Sequence, residues 1–249
     1  MLAYRADIFL KVLFSGARIL LCFLLWSAIY ENTPLMGGYS LSMMITYVLF
    51  TTIFSQLQFQ DGLAWELSAE VREGAFSKYL VRPMSANRFY WTRWIGAWAF
   101  QLVFSLASML LWFLVYRNNL SLPEGEFLVW IIPFILMGAV FMILFSHLVA
   151  LLSLKFQDVT GLLLLKNSII EIASGAIIPL SILPQSLFAF LRFTPFYYVI
   201  YYPANLLLRA PEQDPLTGLL ILGCWCVVIL LLSQIWLKKA HRFYEGVGI

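Results

Sequence analysis

Long apolar stretches alternate with short polar or charged segments along the chain. A helix of about 20 apolar residues crosses the roughly 30 Å hydrocarbon core of a bilayer. The pattern therefore predicts an all-α membrane protein with six transmembrane helices. The first span starts near Val12 or continues to Met36, because Arg18–Tyr30 alone is too short. The other predicted spans cover residues 38–59, 95–116, 127–154, 159–182 and 216–237.

The fifth apolar stretch is the least regular. It contains two charged residues, Lys166 and Glu171, and several prolines follow it. Proline removes a backbone donor and breaks a continuous helix. We therefore expect a crossing helix and then short re-entrant or interfacial helices on the outer side, over residues 177–210. The aromatic residues of this segment suit the depth of the membrane interface. The prolines are Pro179, Pro184, Pro195 and Pro203.

The N-terminal residues show helical amphipathicity. Asp7, Lys11 and Arg18 share one face of a helix. Residues 2–16 are therefore predicted to form an amphipathic helix that lies in the membrane surface. Gly16 is the expected bend between this helix and the first span.

The composition indicates lipid rather than water as the surrounding solvent. Hydrophobic residues make up 62% of the chain, charged residues make up 12%, and the mean hydropathy is +0.86. An ordinary soluble domain is about 45–50% apolar and about 25% charged. The cysteines Cys22, Cys224 and Cys226 all lie in apolar spans, where they are expected to pack as small apolar side chains. We expect neither a disulfide framework nor a metal site.

The basic residues indicate the orientation in the membrane. Cytoplasmic segments of membrane proteins are enriched in lysine and arginine. With the N-terminus inside, twelve of the sixteen basic residues fall on the inner side, and Lys166 lies within a span. Both termini are therefore predicted to be cytoplasmic. The outer basic residues are Arg117, Arg192 and Arg209.

One large charged segment, residues 61–93, lies between the second and third spans. It carries five of the sixteen basic residues and is cytoplasmic in the orientation given above. Ser68 to Gly74 is predicted to form a short helix, because glycine commonly ends helices. One interpretation is a helix that only floats at the membrane surface. The interpretation that we favour is a docking helix for a soluble partner.

Four ionisable side chains are predicted to lie within the membrane. Arg18, His147 and Lys166 enter from the cytoplasmic side, each about 10 Å below the surface. They either extend back to the headgroups or form a shared site for an anionic headgroup or substrate. Glu171 lies near mid-membrane, where an unpaired carboxylate is costly. It is expected to be neutral, paired across helices or facing a polar cavity, so structural pairing and a substrate path are both open.

The sequence contains few motifs that are typical of enzymes. The chain has no G-x-x-x-x-G-K-[ST] loop and so does not bind ATP through one. An intramembrane hydrolase would pair Ser174 with His147 as nucleophile and base, although small residues at a kink are common in helix packing. An ion-coupled carrier or channel would instead use Glu171 as its proton site.

Three motifs in order along the chain carry a family resemblance. Residues 70–83, EVREGAFSKYLVRP, resemble the E-[IV]-x-x-G-x-[LF]-x-x-x-L-x-x-P signature after the second span of type-two (ABC-2) ABC exporter permeases. Residues 174–184, SGAIIPLSILP, are similar to the segment after the fifth helix of that family, with Ser174 where a second glycine is common. Residues 242–248, RFYEGVG, resemble the R-x-Y-x-x-x-G tail of a bacterial subgroup.

The resemblance covers essentially the whole chain and implies a single permease domain over residues 1–249. It implies an elbow helix at 1–16 and a coupling loop at 61–93, both in contact with a separate ATPase, and an outer re-entrant segment at 177–210. The implied ATPase-coupling residues are Glu66, Glu70, Arg72, Glu73, Gly74, Tyr79, Arg82 and Pro83. The implied re-entrant positions are Gly175, Pro179, Pro184 and Pro195.

The resemblance also implies how the chain works. Such a permease pairs with a second copy or a sister permease, and each half binds one ATPase subunit, which holds ATP and magnesium. The chain itself would need no cofactor, no catalytic residue and no nucleic acid. Closure of the ATPases would move the spans and export a substrate across the bacterial cytoplasmic (inner) membrane. Drugs, polysaccharides, lipid-linked polymers and peptides are all substrates of this fold, and the motifs do not choose among them.

Overall fold

The computed structural model describes residues 2–58, 62–73, 86–121, 128–156, 158–208 and 214–240, and these residues are mainly helical. The α-helices are α1 (Leu2–Tyr30), α2 (Leu41–Gln58), α3 (Gly62–Arg72), α4 (Ala86–Tyr116), α5 (Leu128–Leu151), α6 (Ser153–Phe156), α7 (Thr160–Ala173), α8 (Gln185–Leu191), α9 (Tyr202–Leu206) and α10 (Pro215–Ala240). Short 3₁₀ turns lie at Arg117–Asn119 and Leu180–Ile182, and a π-helix covers Tyr197–Tyr201.

Five helices of the described chain are long and apolar enough to cross a bilayer: α1, α2, α4, α5 and α10. They lie where the sequence predicts the first, second, third, fourth and sixth spans, so the prediction of a multi-span helical membrane protein is confirmed. Helix α4 begins at Ala86 rather than near Ile95. The last residues of the charged segment 61–93 therefore belong to the helix of the third span.

The fifth apolar stretch forms a shorter helix than the sequence suggests. Helix α7 has 14 residues and ends at Ala173, which gives it a length of about 21 Å. Gly175 follows with a φ of +74°, in the left-handed region where glycine commonly ends a helix. Pro179 then begins a 3₁₀ turn instead of a new helical turn. Backbone conformation at these two positions therefore sets the end of α7.

The segment after α7 runs toward the loop between α1 and α2. The Ser181 hydroxyl donates to the Gly37 carbonyl at 3.0 Å. Gly37 has a φ of +57°, and a Cβ there would lie 2.8 Å from the side chain of Ile182. The other end of α7 packs against α3. Residues 160–182 thus extend from α3 to the α1–α2 loop.

Helix α2 is the central helix of the bundle. Its spanning window is 78% buried, against 17% for α4 and 28% for α10, and it packs against α1, α4 and α5. Its polar residues take part in this packing. The Thr46 hydroxyl donates to the Ser42 carbonyl, and the Gln58 amide donates to the Ile135 carbonyl of α5 at 3.2 Å. Such bonds satisfy polar groups that lipid would leave without partners.

The aromatic residues from α8 to the π-helix divide into two groups. Tyr197, Tyr198 and Tyr201 are 1–2% exposed and contact one another ring to ring. Phe190 and Phe193 are 64% and 78% exposed. The sequence suggests one interfacial depth for all of them. The tyrosines instead belong to the core, because the π-helix packs against α2 and α5.

Helix α1 continues through Gly16, where the sequence suggests a bend. A Cβ at Gly16 would lie 2.1 Å from the Trp112 ring of α4, so the missing side chain allows the two helices to approach closely. The Trp112 indole donates to the Ser15 hydroxyl at 3.0 Å in the same contact. Gly16 therefore serves packing, and the surface-lying helix over residues 1–16 stays a prediction.

Candidate functional site

Helix α3 packs its apolar side against the ends of several spans. Ala64, Leu67 and Val71 recur at helical spacing and are 0–5% exposed. An isolated helix of this length is marginal in water, so this burial is the main reason that α3 forms. We call the buried group the α3 cluster. Its members are Ala64, Leu67, Val71, Trp94, Ile143, Val149, Ala150, Leu151, Leu154, Val159 and Leu163.

The opposite side of α3 is acidic. Glu66, Glu70 and Glu73 are spaced i, i+4 and i+7, which places them along one face; we call them the acidic row. Glu66 forms an ion pair with Arg93 of α4, and this pair fixes α3 to the third span. Arg72 and Glu73 are exposed at the end of the helix. The other predicted coupling residues, Gly74, Tyr79, Arg82 and Pro83, lie outside the described residues.

The turn between α6 and α7 lies close to the end of α3. Hydrogen bonds from the side chain and backbone of Thr160 lower the pKa of Asp158, and the positive charge of Arg72 lowers it further. On another side of the α3 cluster, the Trp236 indole of α10 donates to the Leu151 carbonyl at 2.9 Å. Polar contacts therefore join α10 to α5 on one side of the apolar cluster and place the α6–α7 turn beside α3 on another.

Glu171 is paired across helices. The Arg18 guanidinium of α1 lies 3.5 Å from the Glu171 carboxylate and donates to the Ala176 carbonyl at 2.8 Å. The side chains of Arg18 and Glu171 are 32% and 40% exposed. Of the three environments that the sequence leaves open for Glu171, the structure shows the ion pair. The same cation satisfies a carbonyl in the irregular segment that follows α7.

The other two membrane-embedded basic residues have different partners. Lys166 is 5% exposed, and its ammonium donates to the Ser146 hydroxyl at 2.7 Å. His147 is buried, and its ring meets the Trp94 ring edge to face, with 5.1 Å between the ring centres. These contacts do not gather Arg18, Lys166 and His147 into a single anion site.

Ser174 and His147 do not form a nucleophile–base pair. The Ser174 hydroxyl oxygen is buried and has no hydrogen-bond partner among the described residues. A serine nucleophile activated by histidine needs that hydrogen bond. The geometry therefore gives no support to a hydrolase.

The helical architecture and the motifs agree with a comparison to known families. A family model for ABC-2 family transporter proteins matches residues 17–248. The chain belongs to the ABC-2 transporter family. It is a multi-pass membrane protein and the permease of an ABC transporter. No curated protein matches the chain.

The departure of this permease from the family motif has a structural explanation. Ser174 caps α7 with φ −86° and ψ −6°, a conformation that any residue adopts. Gly175 takes the left-handed conformation, and its carbonyl accepts a hydrogen bond from the Tyr47 hydroxyl at 2.6 Å. One glycine is therefore enough at the end of α7, and serine fits the position before it.

Several residues around the charged pair are missed by the sequence reasoning. Tyr47 is not singled out there, although it holds the Gly175 carbonyl. Gln101 is also missed, although it lines a polar pocket together with Arg18 and with Thr52 and Gln56, two of the polar residues that the sequence shows in the second span. The density of hydroxyls and amides in the second span was the available signal, because polar groups in lipid need partners.

Exchanging the charges of the Arg18–Glu171 pair tests whether the two side chains interact in the bilayer. Arg18→Glu and Glu171→Arg each place like charges together, whereas the double variant restores attraction. We expect each single variant to unfold at a lower temperature than the wild type, and the double variant to recover part of the loss. The interaction free energy from the double-mutant cycle should be about 1 kcal/mol. This value is low in the range for contacting residues, because both side chains are partly exposed. The recovery is partial, because no guanidinium then reaches the Ala176 carbonyl.

The control combines Arg18→Glu with Glu31→Arg, which changes an exposed carboxylate in the loop after α1. This double variant should show additive effects in detergent thermal unfolding. Equal coupling in the two double variants would contradict the pairing.

Proposed function

We propose that this permease is the membrane subunit of an ATP-driven exporter and is coupled through α3 to a separate ATPase. The observation that carries the proposal is the two-sided character of α3. Its apolar side is buried in the α3 cluster, and its acidic row lies on the opposite side. Cytoplasmic lipid surfaces are negatively charged and repel carboxylates. The acidic row therefore favours contact with a protein surface over a helix that only floats on lipid.

The α3 cluster provides a route by which movement of the ATPase would reach the spans. Helix α3 contacts α4, α5, α6 and α7, and Trp236 links α10 to the Leu151 carbonyl. Closely packed elements resist compression and move as bodies. Displacement of α3 would therefore shift α5 and α7 together. The coupling residues in this proposal are Glu66, Glu70, Arg72 and Glu73, with Gly74, Tyr79, Arg82 and Pro83 following in sequence.

Six crossings with both termini cytoplasmic are part of the proposal. Helix α7 starts beside α3, and Ser181 contacts Gly37 in the loop at the opposite end of the first two spans. The fifth crossing would then consist of α7 and the irregular residues 174–182. Irregular backbone is tolerated at membrane depth where protein surrounds it. Tyr47 and Arg18 donate to carbonyls of this segment, which supports that placement.

The assembly would contain two permease halves, from a second copy or a sister permease. The Arg18–Glu171 pair supports this, because charges that are one-third exposed in a single chain are costly against lipid. A second permease half or a polar pathway between the halves would cover them. ATP and magnesium would bind to the ATPase, and the membrane would be the bacterial inner membrane. The segment 177–210 would cap the outer end of the pathway, with Gly175, Pro179, Pro184 and Pro195 setting its turns.

Purification of the tagged permease from its native membranes in mild detergent tests this proposal. We expect an ABC ATPase to copurify in equal amount with the permease and to hydrolyse ATP in reconstituted liposomes. Mass spectrometry of the complex would also show whether a sister permease is present. A permease that purifies alone and moves ions or solutes in liposomes without ATP would contradict the proposal and favour the carrier based on Glu171.

A further inference from the structure

An exposed aromatic side chain lies in the short connection between α5 and α7. Phe156 is the last residue of α6, and its side chain is 55% exposed. The Lys155 ammonium lies over its ring, 5.3 Å from the ring centre. Leu154 and Val159, which lie close to Phe156 in the chain, are buried in the α3 cluster. Phe156 instead leaves much of its ring uncovered.

Phe156 belongs to the same surface as the exposed end of α3. Helix α6 packs against α3, and both Lys155 and Asp158 are exposed beside Phe156. The positive charge of Arg72 is close enough to Asp158 to lower the pKa of its carboxyl group. Arg72 and Glu73 are exposed at the end of α3. We call Arg72, Glu73, Lys155, Phe156 and Asp158 the turn patch.

We propose that the turn patch is a second contact surface for the ATPase subunit, with Phe156 as its apolar anchor. This inference rests on the proposed function, in which α3 binds the ATPase through the acidic row. The acidic row and the turn patch share Glu73, so a single partner surface can cover both. The proposal adds a position on a different segment of the chain to the contact at α3.

The composition of the turn patch favours a protein partner over the lipid surface. The patch carries two basic and two acidic side chains around Phe156. The cytoplasmic lipid surface attracts clusters of basic residues, and a patch with balanced charges gains little from it. The Lys155 ammonium over the ring also opposes burial among acyl chains, where a charge is costly. An aromatic side chain within a polar rim is, in contrast, common in interfaces between proteins.

Contact at the turn patch would act directly on α7. The Asp158 carboxylate accepts a hydrogen bond from the Thr160 backbone N–H at 2.8 Å. This bond satisfies one of the backbone donors that have no partner within the helix at the start of α7. Helix α7 also carries Glu171, which pairs with Arg18 of α1. Displacement of the turn by the ATPase would therefore reach α7 and its charged pair without passing through α3.

Photo-crosslinking from position 156 tests this contact. The tagged permease with Phe156→p-benzoylphenylalanine is irradiated in its native membranes, and the crosslinked products are identified by mass spectrometry. We expect a crosslink to an ABC ATPase. The matched control is Phe193→p-benzoylphenylalanine, because Phe193 is 78% exposed and lies on the outer side in the proposed orientation. The control should give no crosslink to the ATPase.

The affinity of the purified ATPase for the immobilised permease measures how much the aromatic ring contributes. Phe156→Ala should weaken this binding by about tenfold or more, the loss expected for an aromatic anchor in an interface. Phe193→Ala should bind the ATPase as the wild type does. Both side chains are mainly exposed, so both alanine variants should elute as the wild type does in size exclusion.

The outcomes separate the possible partners of Phe156. Crosslinks from position 156 to lipid alone would place the ring in the membrane interface and overturn the proposal, and so would crosslinks within the permease alone. Equal affinities of Phe156→Ala and Phe193→Ala for the ATPase would also overturn it. If the wild type binds the ATPase and only these tests fail, the proposed function stands without the turn patch. A wild type that binds no ATPase refutes both.

Discussion

The variant Glu70→Lys/Glu73→Lys is expected to abolish stable binding of the ATPase and ATP-driven transport, while the permease itself still folds. These two residues belong to the acidic row; Glu73 is exposed at the end of α3, and Glu70 is half-buried. Reversal of charges at the centre of an interface replaces attraction with repulsion. We expect the affinity for the ATPase to fall by about 100-fold or more. Binding of purified ATPase to immobilised permease, followed by transport in liposomes, would measure both effects.

The design of this experiment leaves Glu66 unchanged, because Glu66 pairs with Arg93 and holds α3 against α4. The matched control is Glu31→Lys, a charge reversal at an exposed residue in the loop after α1. That variant should bind the ATPase as the wild type does. Normal ATPase binding by the Glu70→Lys/Glu73→Lys variant would show that α3 is not the docking helix.

The second large effect is expected at Gly175, where alanine should destabilise the permease strongly. The residue has a φ of +74°, and an added Cβ would lie 2.8 Å from the Tyr47 hydroxyl oxygen and 3.1 Å from Leu180 and Tyr201. A left-handed conformation strains any residue with a Cβ, and overpacking of a full core adds to that strain. Together, the backbone strain and the overpacking should lower the free energy of unfolding by about 3 kcal/mol. Thermal unfolding in detergent should show a clearly lower midpoint for Gly175→Ala.

A neighbouring glycine gives the control for this prediction. Gly161 lies in α7, and an added Cβ there would meet no atom within 4 Å. Gly161→Ala should leave the unfolding temperature unchanged or raise it, since alanine favours a helix over glycine by up to about 1 kcal/mol. Adding Tyr47→Phe to Gly175→Ala removes the closest clash but leaves the backbone strain and deletes the hydrogen bond to the Gly175 carbonyl, so it should not restore the wild-type stability. Equal stability of Gly175→Ala and Gly161→Ala would contradict this account.

The sequence by itself determined the membrane class, the positions of five spans and the family. The membrane class and the spans depend on residues that are adjacent in sequence. The free energy of placing a helix in lipid is set by the composition of that one segment. The charged segment between the second and third spans also predicted a helix outside the membrane. Its helix begins at Gly62 rather than near Ser68, since helix ends depend on what packs against them. The motifs gave the family because they are local as well.

Tertiary structure alone decided the partners of the embedded polar groups. Arg18 reaches a carbonyl 158 residues away in the chain, and Tyr47 reaches one 128 residues away. No periodicity in sequence encodes which helix a side chain will face across the bundle. The same is true of the polar pocket, whose walls come from three helices, and of the burial of the tyrosines around the π-helix. Lipid chemistry determines which segments enter the membrane, whereas packing between helices determines which polar groups meet there.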